Sequence, residues 1–355
     1  MVLFEYKKNK KKPYSKRSIF GSSLLSGLVM LPTINHEAFA NTRSYVAVEP
    51  LTCELVEAIA LPTDNVTCLI DRDKDVHDVK FTPQQLQLLN SADLIFTLGK
   101  EMTPAIKNWE DKKNTVVIGV TAIDIDSHGD HDDHEDHDDH VAHDDHDDHD
   151  DHDDHHHDHG GLDPHVWHDP HNIVKMAEIV KDNLKSQLGR FNSDRNLINE
   201  SFMKVELILE DLDEWIVAQV ETVPESERII VSKHKALEHY GDAFGFEIVS
   251  LLDYLGESSS LRPDNLREVL KGIKENDIRV IFIEQYPPSK LIKNLSRQSS
   301  VPLSEDRLYV DGLMLDGNLI TVAIHNTCTI VNSLGGKCDE EVGSSLENEW
   351  NQLDN

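Results

Sequence analysis

The sequence predicts an α/β fold made of two lobes with parallel sheets, joined by a long helix. Three observations predict it. Short apolar, β-branched runs alternate with helical stretches between Ser44 and Thr121; the same alternation resumes between Arg228 and Gly336; and one stretch of helical periodicity, Asp194 to Val223, stands between the two series. Strands that read as continuous apolar runs are those buried on both faces of a parallel sheet, with helices covering each side.

In the first series, SYVAV (44–48), NVTCLI (65–70), DLIFTLG (93–99) and TVVIGVT (115–121) read as strands. LTCELVEAIA (51–60) reads as a helix, and TPQQLQLLNSA (82–92) opens with the Thr-Pro pair of a helix start. From Asp169 the pattern is helical, with a break at LGRFNSD (188–194). The following helix, if it ran from Asp194 to Val223, would be about 45 Å long at 1.5 Å per residue, enough to span two lobes. In the second series RIIVS (228–232), FEIVSLL (246–252), RVIFIEQ (279–285) and RLYVDGLM (307–314) read as strands. KALEHYGDAFG (235–245), RPDNLREVLKGIKEND (262–277), SKLIKNLSRQSS (289–300) and NLITVAIHNTCTIVNSLGG (318–336) read as helices, the last closed by Gly335-Gly336. The chain after Asp339 is polar and reads as frayed. The expected layout is residues 1–40 as an export signal, 41–168 as the first lobe, 169–223 as connecting helices and 224–355 as the second lobe.

The export signal rests on composition. Seven Lys/Arg between Lys7 and Arg17 precede the apolar run Ile19 to Leu31, and AFA ends at Ala40. The apolar run is 13 residues, against the roughly 20 that a membrane span needs, so cleavage after Ala40 is expected rather than anchoring. No cysteine stands directly after the run to accept a lipid. The four cysteines, Cys53, Cys68, Cys328 and Cys338, then belong in an oxidising compartment. Three pairings are possible; the local one, Cys53–Cys68 with Cys328–Cys338, keeps each bridge within one half of the chain. The spacings do not match the CxxC pairs of a zinc knuckle.

One segment cannot belong to a packed core. His128 to Gly160 holds thirteen histidines and sixteen Asp/Glu with no Lys or Arg, and so carries about half of the formal charge of −32. The acidity is local, and no basic stripe outside the N-terminus argues for nucleic acid as a partner. His128, His131, His134, His137, His140, His143, His146, His149 and His152 fall in a three-residue His-Asp-Asp period, completed by His155, His156, His157 and His159. If extended, such a chain presents an imidazole about every 10 Å. It has nothing to bury, is expected to be disordered without metal, and has the chemistry of a multidentate chelator of modest selectivity. A solvated acidic linker would explain the Asp but not the His.

Eight histidines lie outside that run, and His36 goes with the signal. Three of the rest stand at strand ends or helix starts, where open α/β sheets place ligands: His77 in DVHDVKFTP, His165 in DPHVWHDP, and His234 after RIIVSK. Convergence of the three on a cleft would give imidazole nitrogens suited to Zn²⁺, which prefers four ligands in a tetrahedron. Asp311 in YVDGLM is the candidate fourth ligand. Glu284, at the end of VIFIE, is the rival, or else an acceptor that fixes a histidine tautomer. His168 is a possible accessory ligand; His171, His239 and His325 read as structural or surface residues.

In order, DVHDVKFTP…LNSADLIFTLG, DPHVWHDP, IIVSKHKALEHYGDAFG, IKENDIRVIFIEQ and YVDGLM resemble the motif blocks of the periplasmic zinc-binding proteins that feed ABC importers. The resemblance covers nearly all of residues 44–336, including a His/Asp-rich insertion in the same place, and DPHVW is its most specific block. It implies two lobes joined by a rigid helix, a single metal in the cleft, and ligand roles for His77, His165 and His234 with Asp311 fourth. It implies a permease and its ATPase as partners, a periplasmic location and no enzymatic activity; a monomer is expected. Manganese-binding relatives usually carry Glu where His234 stands, which favours Zn²⁺. The departures are DVHDVKF, which lacks the Pro-His and Tyr common around the first ligand, and His168 where an aliphatic residue is usual. Competing readings are a metallohydrolase, against which the chain has no HExxH, and catalysis keeps a metal position open where a solute receptor needs a closed coordination shell; a periplasmic zinc buffer or chaperone without a transporter; and a manganese-binding member of the same family.

Overall fold

The structure is a computed structural model describing residues 42–72, 74–123, 163–251 and 263–353. The export signal and the His/Asp-rich segment, with all thirteen of its histidines, lie outside the described residues. What is described folds as one unit within Thr42–Asn355.

Among the described residues the N-terminal part is built on a four-stranded parallel sheet of order β2-β1-β3-β4: β1 (Ser44–Ala47), β2 (Asn65–Cys68), β3 (Leu94–Thr97) and β4 (Thr115–Val117). Its central strands are buried as the apolar runs require, with Ile95 and Phe96 fully enclosed. Helices α1 (Pro50–Ile59), α2 (Pro83–Ser91) and the short α3 (Lys107–Glu110) connect the strands. The Thr-Pro start of α2 is a capping box: Thr82 accepts from the Gln85 amide and the Gln85 side chain accepts from the Thr82 amide.

Two antiparallel-packed helices follow, α4 (Pro170–Ser186), capped by Asp169, and α5 (Asp194–Val220). At 27 residues α5 is about 40 Å long, three residues shorter at its end than the sequence pattern implied. Its buried positions include Ile198, Phe202, Val205, Leu209, Leu212, Ile216 and Val220, which step by three and four, and the helix packs against α4 and α1.

The C-terminal part carries two parallel pairs, β5 (Ile229–Ser232) with β6 (Glu247–Ser250), and β7 (Ile281–Ile283) with β8 (Leu303–Arg307); β5 lies beside β7. Helices α6 (Glu238–Phe244), α7 (Pro263–Glu275), α8 (Lys290–Ser299) and α9 (Leu319–Ser333) alternate with these strands, and α10 (Glu340–Trp350) closes the chain. The architecture is α/β with parallel sheets, as the sequence predicts.

Three details differ. The strand expected at 307–314 is LSEDR, residues 303–307; the Leu308 amide still bonds to the Ile283 carbonyl (2.7 Å), and the apolar Leu308 and Val310 are buried beyond the strand's end, where they fill the core. α6 starts at Glu238, not Lys235, because the Lys233 and His234 amides are taken by the Glu284 carboxylate and Ala236 and Leu237 turn into the core. The frayed tail is instead a docked helix. Leu346 and Trp350 are buried, Asp339 caps it, and the Asp339 main chain is held by the Trp215 indole (3.2 Å) and the Gln219 side chain (2.8 Å). Three apolar residues four apart, Val342, Leu346 and Trp350, were too sparse a signal in a polar sequence.

Both local cysteine pairs are disulfides, Cys53–Cys68 and Cys328–Cys338, and no described cysteine is free. The first ties α1 to the end of β2; the second ties α9 to the entry of α10. No helix among the described residues is long and apolar enough to cross a membrane.

Candidate metal centre

The C-terminal ends of β2, β5, β7 and β8 lead to the loops that carry the candidate ligands. His77 sits between β2 and α2, and His165 caps the short 3₁₀ turn Val166–His168 before α4. His234 follows β5 by two residues, Glu284 follows β7 directly, and Asp311 lies four residues past β8. The loops bearing His77 and Asp311 touch: a Cβ on Gly312 would stand 3.4 Å from the Arg72 carbonyl oxygen. Arg72 crosses between them, pairing with Glu54 at 2.6 Å and donating to the Gly317 carbonyl, while the other Glu54 oxygen accepts from the Leu319 amide at the start of α9 (2.7 Å).

This arrangement brings three imidazoles onto one oxygen. The Nε2 atoms of His165, His234 and His77 lie 3.0, 3.4 and 3.5 Å from Asp311 Oδ1. His165 is central, with ring centroids 5.6 Å from both His77 and His234. The ligating atoms of His77, His165 and Asp311 all fall within 4.8 Å of one another. His165 is buried at 1 % exposure, and the His234 and Asp311 side chains keep 25 % and 31 %, so the centre opens to solvent on one side.

Behind the ligands stand two further carboxylates. His165 Nδ1 donates to Asp163 Oδ1 at 2.7 Å, and the His165 amide donates to the same oxygen at 3.0 Å. His234 Nδ1 donates to Glu284 Oε2 at 2.8 Å, while Glu284 Oε1 accepts from the Lys233 and His234 amides at 2.8 and 3.3 Å. Glu284 thus stands on the Nδ1 side of His234, and Asp311 on its Nε2 side.

The charges follow. Burial alone would lower His234, but hydrogen bonds to Asp311 and Glu284 outweigh it and push the imidazole up to about 10. Burial of His165 is likewise outweighed by its bonds to Asp163 and Asp311, which raise it. Burial of Asp311 would raise the carboxyl, yet the hydrogen bonds from His165, His234 and His77 hold it well below the usual carboxylate range. Without metal, then, His234 is an imidazolium ion at neutral pH, and His165, also held between two carboxylates, is shifted toward its protonated form. A divalent cation replacing the Nε2 protons meets nitrogen lone pairs already aimed at one point.

The remaining histidines are elsewhere. His168 Nε2 donates to the Val310 carbonyl (3.2 Å), and burial drives it down to about 4, so it is a neutral buried donor. His325 donates to the Arg307 carbonyl (2.9 Å) and His239 to the Asp163 carbonyl (3.0 Å). His171 is exposed, with Nδ1 3.4 Å from both Asp169 and Asp213. Sequence reasoning missed Asp163, although its place two residues before His165 was a usable signal; nothing in the sequence pointed to His239 as its partner.

Comparison with known proteins gives the family. The family model described as zinc-uptake complex component A, periplasmic (ZnuA), matches residues 46–333. The manganese-binding lipoprotein MntA of Halalkalibacterium halodurans is 25% identical over 286 residues, 79% of this chain and 85% of its own length. The zinc-binding protein TroA of Treponema pallidum is 24% identical over 181 residues, 49% of this chain and 58% of its own. The solved structure of the TroA protein superposes with a TM-score of 0.65 at 18% identity, covering 82% of this chain and 99% of that one. Fe(III)-bound YtgA from Chlamydia trachomatis gives 0.63 at 18% identity, covering 84% and 100%. These relatives are metal-binding proteins and not enzymes. With a family match across most of its length and a fold of the same two-lobed, helix-joined type, the chain belongs to the ZnuA family of metal-binding, substrate-binding proteins of ABC transporters.

Proposed function

We propose that the protein captures Zn²⁺ in the periplasm and hands it to a membrane permease driven by its ATPase, with His77, His165, His234 and Asp311 as the four ligands. The observation that carries this reading is the convergence of three Nε2 atoms on a single Asp311 oxygen. Three imidazoles and one carboxylate are a donor set that Zn²⁺ accepts in a tetrahedron, whereas Mn²⁺ favours more oxygen and higher coordination. Relatives are named for both metals, so the choice rests on the donor set of this chain. The chain is exported on residues 1–40 and cleaved after Ala40; residues 41–168 and 224–355 form the lobes, and 169–223 the connection. Residues 128–160 act as an auxiliary, weaker metal-capturing segment.

The test is a calorimetric titration of Zn²⁺ and Mn²⁺ into the full chain and into a chain lacking residues 128–159. Deletion is expected to remove a weak phase of several ions and leave one tight Zn²⁺ per protein, with Mn²⁺ weaker. A run of His and Asp has almost no apolar residues to bury, so a site on it should carry the backbone ordering cost of roughly 1–2 kcal/mol per residue that a site held by packed elements avoids. A deletion that abolishes the tight site, or a cleft that prefers Mn²⁺, overturns the reading.

A further inference from the structure

We propose that His239 is a positioning residue of the metal centre, acting across the cleft: it holds Asp163 in place, and Asp163 in turn fixes the ring of His165. This rests on the metal-binding reading of the centre. Asp163 belongs to no helix or strand, yet its carboxylate is buried at 6 % exposure and its Oδ1 takes both the Nδ1 proton and the amide of His165. A shift of that carboxylate would loosen two hydrogen bonds together. Among the described residues, the hydrogen bond to the Asp163 carbonyl comes from His239 Nε2, 3.0 Å away on α6. Asp163 Oδ2 is buried without a hydrogen bond, and the same His239 nitrogen stands 4.0 Å from it.

His239 is itself nearly enclosed, its side chain 10 % exposed, and it lies five residues after the ligand His234. One short segment of the C-terminal part therefore does two things. It presents a candidate ligand of its own, and it ties down the main chain of Asp163, whose carboxylate holds His165. A carboxylate behind a ligating imidazole fixes its tautomer and orientation, and disturbing such a partner lowers metal affinity by roughly 10–100-fold. Among the described residues, the donor that ties the Asp163 main chain to the C-terminal part is His239 Nε2.

The experiment compares wild type, His239→Phe and His239→Gln as full chains. Zinc affinity of the tight phase is read by chelator competition, and the His165 Nδ1–H proton of the zinc-loaded protein by ¹⁵N-edited NMR. His239→Phe keeps volume without the donor and is expected to weaken zinc by about tenfold or more and to lose the slowly exchanging Nδ1–H signal. His239→Gln retains an N–H donor and is expected to keep both. Equal affinity and an intact His165 signal in His239→Phe overturn the proposal. So does a matching loss in both variants that follows a drop in melting temperature, which would mean packing alone. Absence of a tight zinc phase in wild type would instead overturn the metal-centre reading on which the proposal stands.

Discussion

Zinc binding should expel at least one proton per ion even at pH 8, and the perturbation to apply is pH itself. His234 is pushed up to about 10 by Asp311 and Glu284, and His165 is raised as well. At pH 8 an imidazole at its ordinary value of about 6.5 would be about 3 % protonated, whereas one at about 10 would be about 99 % protonated. Three ordinary histidines would together release about a tenth of a proton, and this centre at least a whole one. The sign follows: a group raised in the metal-free protein must lose its proton to bind, so zinc affinity rises with pH, about tenfold per unit per proton, until pH passes about 10. Folding of the metal-free protein runs the other way. The stability contributed by protonated His234 is fully present below its unfolded value of about 6.5 and is lost as pH rises through about 10. The assay is calorimetry in two weakly coordinating buffers of different ionisation enthalpy, whose difference in heat counts the protons. A release near zero at pH 8 would refute the clamped imidazolium geometry.

Glu284→Gln, measured at pH 9 where proton competition is weaker, should reduce zinc affinity by roughly 10–100-fold, because the carboxamide satisfies the Lys233 and His234 amides only by turning its NH₂ toward His234 Nδ1. Unchanged binding would mean that His234 is held by something else. Reducing the Cys328–Cys338 bridge, or replacing both cysteines by Ser, should lower stability by roughly 3 kcal/mol through the freed loop of 10 residues, seen as a fall in melting temperature; free thiols in the exported protein would contradict the pairing. Trp350→Ala should destabilise by about 3–5 kcal/mol in a denaturant titration, since the indole is 3 % exposed under α10, and a neutral result would mean that the tail is undocked in solution.

Much of this was legible because it depended on local chemistry. Strands such as LIFT and IFI are buried on both faces and therefore read as unbroken apolar runs. Thr82-Pro83 and Asp169-Pro170 announce helix starts, and the three histidines stood out because strand ends are where such folds collect ligands. What stayed hidden depended on tertiary partners. Leu308 and Val310 looked like strand because burial and β-pairing leave the same apolar signature. Helix α10 looked frayed because it is docked by Trp215 and Gln219, far away in sequence, beside the disulfide at its entry. The placement of Asp311 and Glu284 needed geometry, because two carboxylates near neighbouring strand ends are equivalent in sequence, whereas in the fold one faces His234 Nε2 and the other His234 Nδ1.

The most direct test of the centre is zinc-edge X-ray absorption on the protein lacking residues 128–159, loaded with one equivalent of Zn²⁺. The account predicts three imidazole nitrogens at about 2.0–2.1 Å and one carboxylate oxygen at about 2.0–2.2 Å, falling to two imidazoles in His77→Ala, His165→Ala or His234→Ala. Sulfur scattering, a six-coordinate oxygen-rich shell, or an imidazole count unmoved by those three substitutions would contradict it.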